Sequence, residues 1–168
     1  MIKLAQAWAQ ELGITIARFL GNGDYGEAFE TSDGNVIKIT QDFLEYELST
    51  EMIGIDSDYV AEIFAVKRFD DDFMGVWQEK LIIDDTYHQS LFEELVMAAD
   101  EQQCDLMSIN PDDCVEPLST EALLMFNDLS SAVRDISLSG HEPDDVHFTN
   151  IGRKQHGQFA LFDQRIAA

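Results

Sequence analysis

The sequence predicts an α+β fold in two lobes: a five-stranded antiparallel sheet with one helix, then a minimal, mostly helical part. Three observations predict it. Short runs of strand character, punctuated by glycines and an Asp-Gly turn, fill residues 14–40. Two longer runs at 59–69 and 73–83 flank the acidic turn Asp70-Asp71-Asp72. From Asp84 onward the apolar residues instead recur every three or four positions, which is helical spacing. The lobes are therefore drawn at 1–83 and 84–168.

The elements follow in order. Leu4, Trp8 and Leu12 recur every fourth residue, so residues 2–12 read as an amphipathic helix stopped by Gly13. Residues 14–20 read as a strand interrupted by the glycine run Gly21-Asn22-Gly23-Asp24-Tyr25-Gly26. Residues 27–31 and 36–40 form a hairpin about Ser32-Asp33-Gly34-Asn35, because Asp-Gly tolerates the positive φ of a tight turn. A helix opens at Thr40-Gln41-Asp42 and runs to Ile53, before Gly54. Asp84-Asp85 begins a helix reaching Cys104, with Leu91, Leu95, Ala98 and Ala99 on its apolar side and acids at the positive end of its dipole. Ser119 or Thr120 caps the next helix, whose seam is Ala122, Phe126, Leu129, Val133 and Ile136. Residues 159–162 form a short strand carrying Asp163 at its tip.

At 168 residues and 45% hydrophobic content, the chain can bury one core or two small ones. Asp and Glu total 33 against 10 Lys and Arg, a formal net charge of -23. Such a surface repels nucleic acid and anionic membrane, favours solubility and suits a basic protein partner. No apolar run approaches the roughly 20 residues that span a bilayer, and the start lacks the features of a signal peptide. Cys104 and Cys114 read as reduced thiols, and the expected location is the cytoplasm.

Four pieces point to chemistry. The glycines Gly21, Gly23 and Gly26 lie between two strands, a context that favours a flap whose backbone N–H groups cover phosphates over the strand-to-helix turn of a dinucleotide fold. An ordinary glycine-rich hairpin is the bland alternative, and Phe29 would cap the phosphates or pack beneath the flap. Lys38 alternates with Ile37 and Ile39, so it faces away from them and needs an anion, which nucleotide α/β-phosphates would supply. Glu47 is favoured to hold the lysine in an ion pair, with Glu45 and Glu51 as alternatives. The third and fourth pieces are Asp145-Val146-His147-Phe148-Thr149-Asn150-Ile151 and Leu161-Phe162-Asp163. His147 reads as a loop-ordering residue, while Arg153, Lys154 and His156 form a basic turn that could touch phosphate or a substrate acid.

In this order and spacing the chain resembles the protein-kinase-like superfamily, and Asp145 to Ile151 is nearest the D-x-H-x-x-N-[IL] form of its small-molecule and bacterial branch. The resemblance covers residues 14–168, and Pro143, Asp144 and Gln164-Arg165 depart from the H-R-D and D-F-G wording. It implies ATP and Mg²⁺ as ligands. Asp145 would orient or deprotonate the attacking hydroxyl, and Asn150 and Asp163 would hold Mg²⁺. Lys38 would position the α/β-phosphates, the backbone around Gly23 to Gly26 would cover them, and the segment Val76 to Leu81 could meet the adenine. With five residues after Asp163, the resemblance is to a C-terminally truncated, bacterial or phage type of kinase without an activation segment. The expected activity is phosphoryl transfer to a hydroxyl of a protein or of the chain itself. The alternative is a catalytically silent acidic module that docks a basic partner or mimics DNA to inhibit a nucleic-acid-binding protein. A small-molecule substrate is disfavoured, because the acceptor helices of such kinases have no counterpart here.

Overall fold

The computed structural model describes residues 1–138, 140 and 146–162, an α+β chain that divides into two compact units. The first takes in Met1–Ser57 and Ala61–Lys80. The second takes in Asp58–Val60 and the described residues from Leu81 on.

The first unit is built on five antiparallel strands, β1 (Ile16–Asn22), β2 (Gly26–Thr31), β3 (Val36–Thr40), β4 (Ile63–Arg68) and β5 (Met74–Gln78), in the order β1-β2-β3-β5-β4. Alternation along β3 divides its side chains between two faces. Ile37 and Ile39 join Phe29 in a core closed by Ala5, Trp8 and Ala9 of α1 (Ile2–Glu11). Lys38 and Thr40 fall on the other face, with Ala28 and Val76 opposite the lysine in the ladder. The connection from β3 leads directly into α2 (Phe43–Glu51), which packs on β4 and β5 and is capped by Asp42 accepting from the N–H groups of Leu44 and Glu45.

Three expectations need correction. The glycine run does not interrupt β1, which continues through Gly21 to Asn22 with irregular register between Ile16 and Arg18 and between Phe19 and Gly21. Glycine lets the strand bend there without leaving the ladder. Phe29 does not cap phosphates, because it lies in the α1 core on the face opposite Lys38. The runs at 59–69 and 73–83 are shorter as strands, since their outer residues pair elsewhere. Val60 bridges Leu161, and Ile82 exchanges hydrogen bonds of 2.8 Å with Arg153.

The second unit packs α3 (Asp85–Gln102) against α4 (Thr120–Leu138) and carries a hairpin of β6 (Ile151–Arg153) and β7 (Phe159–Leu161). The apolar sides expected of both helices are buried, except that Val133 is half-exposed while Ala132 and Met125 share the seam. Ser119 is the residue that caps α4, its Oγ accepting from Ala122 N at 3.1 Å. Among the described residues, no helix is long and apolar enough to cross a membrane.

The α1 core depends on a close approach at Gly75, where a Cβ would lie 2.6 Å from the Trp8 ring. Gly75→Ala is expected to destabilise the protein by about 1–3 kcal/mol, as overpacking does. Urea denaturation measures this, and an unchanged midpoint would contradict the packing of Trp8 over β5.

Candidate functional site

The most specific polar arrangement lies in the first unit, on the sheet face away from α1. Lys38 Nζ is 2.8 Å from Glu45 Oε1, with side-chain exposures of 15% and 5%. The second carboxylate oxygen of Glu45 accepts from Thr40 Oγ1 at 2.8 Å, and Thr40 is fully buried. Glu45 therefore takes the role expected of Glu47. It occupies the third helical position after the Asp42 cap, where the first turn of α2 faces the end of β3. Glu47 lies two residues further, roughly 200° around the helix at 3.6 residues per turn, and Glu51 is exposed at the helix end. The spacing Asp42-x-x-Glu45 is the sequence signature of a capping box, and it would have located the helix start and this glutamate.

The glycine run forms a hairpin in register with Lys38. Gly21 pairs with Ala28, Ala28 with Lys38, and Gly26 with Thr40. Gly23 N donates to Gly26 O at 3.0 Å and closes the tip. The three glycines differ in what the fold asks of them. A Cβ on Gly26 would sit 2.5 Å from the Ile39 carbonyl oxygen, so packing requires glycine there. At Gly21 and Gly23 φ is ordinary and a Cβ would meet nothing within 4 Å. Gly21 adjoins the irregular register of β1, whereas at Gly23 neither a positive φ nor packing among the described residues calls for glycine.

Beside this row Glu30 stands between Arg18 of β1 and Lys80, the latter 2.9 Å away. Lys80 and then Arg18 donate to its carboxyl and hold it below the usual carboxylate range. Arg18, Lys38 and Lys80 are thus gathered in one unit of a protein with only 10 Lys and Arg.

The second unit carries Asn150. A single 3-10 turn, Phe148–Asn150, is capped by the side chain of His147, and Asn150 N donates to His147 O at 2.9 Å. The His147 ring lies against Phe148 and Phe92, and its Nδ1 is 3.0 Å from Thr149 Oγ1, contacts that order the loop. Phe162 N donates to Asn150 O at 3.0 Å across the end of the β6–β7 hairpin. Asp145 and Asp163 lie outside the described residues. Among the described residues, no three His, Cys, Asp or Glu side chains group as a metal site.

The basic turn is committed to the fold of its own unit. Arg153 pairs with Glu121 at 2.9 Å and stacks on Phe159, its guanidinium carbon 4.3 Å from the ring centre. Lys154 is buried and His156 Nε2 approaches Asp58 at 3.4 Å. Arg153 serves as a strut between α4 and the hairpin.

His88 carried no signal in the helical pattern, where it reads as one more polar residue. It is buried beneath the hairpin, with Nδ1 3.0 Å from the Ile151 carbonyl. A carbonyl only accepts, so Nδ1 carries the hydrogen. Compared with models of protein families and with curated proteins, the chain matches none, and the site stands on its own geometry.

Burial lowers the His88 pKa from its ordinary 6.5, outweighing the hydrogen bond to Ile151 that raises it. The folded protein then binds fewer protons at this residue than the unfolded chain. Its contribution to stability is complete above 6.5 and is lost as pH falls through the lowered folded value. The stability advantage of wild type over His88→Asn should shrink as pH is lowered from about 7 to about 5. Urea denaturation across that range tests it, and a constant advantage would contradict a buried neutral imidazole.

Proposed function

We propose that the chain is an ATP- and Mg²⁺-dependent phosphotransferase of protein-kinase-like, two-lobed fold, acting on a protein hydroxyl, its own or another protein's. The observation that carries this reading is the ladder row in which Gly21, Ala28 and Lys38 are neighbours, with Lys38 held by Glu45. A triphosphate needs backbone N–H groups that a Cβ would shield and a fixed cation beside them. Gly21 and Gly23 leave such room, since a Cβ built at either would meet nothing within 4 Å. Stability is also a poor explanation for the ion pair, because well-packed apolar residues usually serve a buried position as well or better. The half-buried Ala28 and buried Val36 share the Lys38 face and offer small apolar surface to a base.

In this reading Lys38 and the backbone of the hairpin hold the phosphates, and Asp145 accepts the proton of the attacking hydroxyl. The hydroxyl oxygen bonds to the γ-phosphorus, the bond from that phosphorus to the β,γ-bridging oxygen breaks, and ADP leaves with the electron pair. The amide of Asn150 and the carboxylate of Asp163 provide oxygen donors of the type Mg²⁺ takes. In support, Phe162, which precedes Asp163, is hydrogen-bonded to Asn150. Bound Mg²⁺ would supply neutralisation of phosphate charge. So little covalent work is asked of the protein that these few side chains suffice.

One observation favours a second reading, an acidic module for a basic protein partner or a mimic of DNA. Between Lys80 and Arg134 the sequence contains no Lys or Arg at all, while acids recur through α3, the following turns and the start of α4. Such a one-signed surface steers cationic partners.

A thermal-shift titration with MgATP decides between them. The proposed site raises the melting temperature as ligand exceeds its dissociation constant, and Lys38→Met abolishes the shift. Gly21→Ala and Gly23→Ala should keep unliganded stability within about 0.5 kcal/mol, as open surface positions do, yet weaken the MgATP shift. No shift in wild type at millimolar MgATP would overturn the proposal. Binding without transfer of labelled γ-phosphate to the protein itself or to other proteins would favour the second reading.

A further inference from the structure

We propose that Thr40 is the positioning residue of the Lys38 site, its hydroxyl holding the Glu45 carboxylate so that one oxygen fixes the lysine for a phosphate. This deepens the nucleotide reading and rests on it. Three groups within one short connection make the case. In a capping box the glutamate at the third helical position reaches back to the N–H of the cap residue. Here that N–H, on Asp42, donates to Thr40 Oγ1 at 3.0 Å. Because Oγ1 accepts from Asp42 N, its own hydrogen is free to point at Glu45 Oε2, 2.8 Å away. The threonine thus serves the cap in place of the glutamate, and Glu45 Oε1 is left to meet Lys38 Nζ at 2.8 Å.

The side chains involved leave little latitude. Thr40 is wholly buried and Glu45 is 4% exposed, so neither has water to substitute for a missing partner. A β-branched residue is stiff at χ1, and in a strand that stiffness aims the hydroxyl. Thr40 also lies on the same face of β3 as Lys38 and one step nearer α2, opposite Gly26 in the ladder. Removing the hydroxyl would let the carboxylate turn toward the Asp42 N–H, as in an ordinary capping box, and loosen the lysine.

The test follows the Lys38 ammonium in protein labelled with ¹⁵N-lysine, its resonance assigned by its loss in Lys38→Arg. Thr40→Val keeps the branched shape without the hydroxyl, Thr40→Ser keeps the hydroxyl, and Thr40→Ala covers a valine variant that does not fold. Exchange of the ammonium protons with water should be slow in wild type and Thr40→Ser. It should be about tenfold faster in Thr40→Val and Thr40→Ala, the scale of one charge-assisted hydrogen bond. MgATP affinity should fall about tenfold in the same two variants and stay within about twofold in Thr40→Ser. Unchanged ammonium exchange in the variants lacking the hydroxyl overturns the proposal, whatever MgATP does. Faster exchange with no MgATP binding by wild type would support Thr40's hold on Lys38 and overturn the phosphate reading.

Discussion

A buried ion pair between neighbours in sequence organises the first unit. Lys38 leaves the sheet on the face opposite the α1 core, and Glu45 meets it from the first turn of the next helix. Removing one member of such a pair strands a charge, at a cost of about 3–5 kcal/mol. The pair ties the polar face of the sheet to the first turn of α2, whose start is set by the Asp42 cap. The glycine hairpin inherits its position from the same strand, since Gly21, Ala28 and Lys38 share a row of the ladder.

The second unit shows the opposite use of polar residues. His88, Arg153 and Asp128 all brace the β6–β7 hairpin. His88 donates to Ile151 O, Arg153 stacks on Phe159, and Asp128 accepts from Phe159 N at 2.9 Å. Burial raises the Asp128 carboxyl above its usual range, against the lowering effects of that N–H and Arg153. These groups hold the hairpin against α3 and α4, and the turn ending at Asn150 packs on α3. Asn150 itself is the one residue of this unit's described part to which the proposed chemistry assigns a direct role.

Much of the fold could be read from the residues, and the failures have physical causes. Gly13 and the four-residue recurrence of Leu4, Trp8 and Leu12 locate α1, and the Asp33-Gly34 turn locates the β2–β3 hairpin, because both signals are local. The runs at 59–69 and 73–83 overreach the strands at Val60 and Ile82, since an apolar run does not say which partner it joins. Lys38 was legible from its interruption of an apolar strand. Its partner is one of three glutamates on the helix, and the Asp42 cap, itself readable in the sequence, decides which one faces β3. Thr40 and His88 were invisible because each acts through a hydrogen bond to a group distant in function though not in space. Asp145 and Asp163 rest on the sequence pattern alone.

The central claim is that Lys38 is a phosphate ligand and not merely the partner of Glu45. An acyl-phosphate derivative of ATP transfers its acyl group to a lysine amine beside the bound phosphates, and digestion with mass spectrometry identifies the lysine. The account predicts acylation at Lys38 that excess MgATP suppresses. Labelling spread over surface lysines and indifferent to MgATP would contradict it.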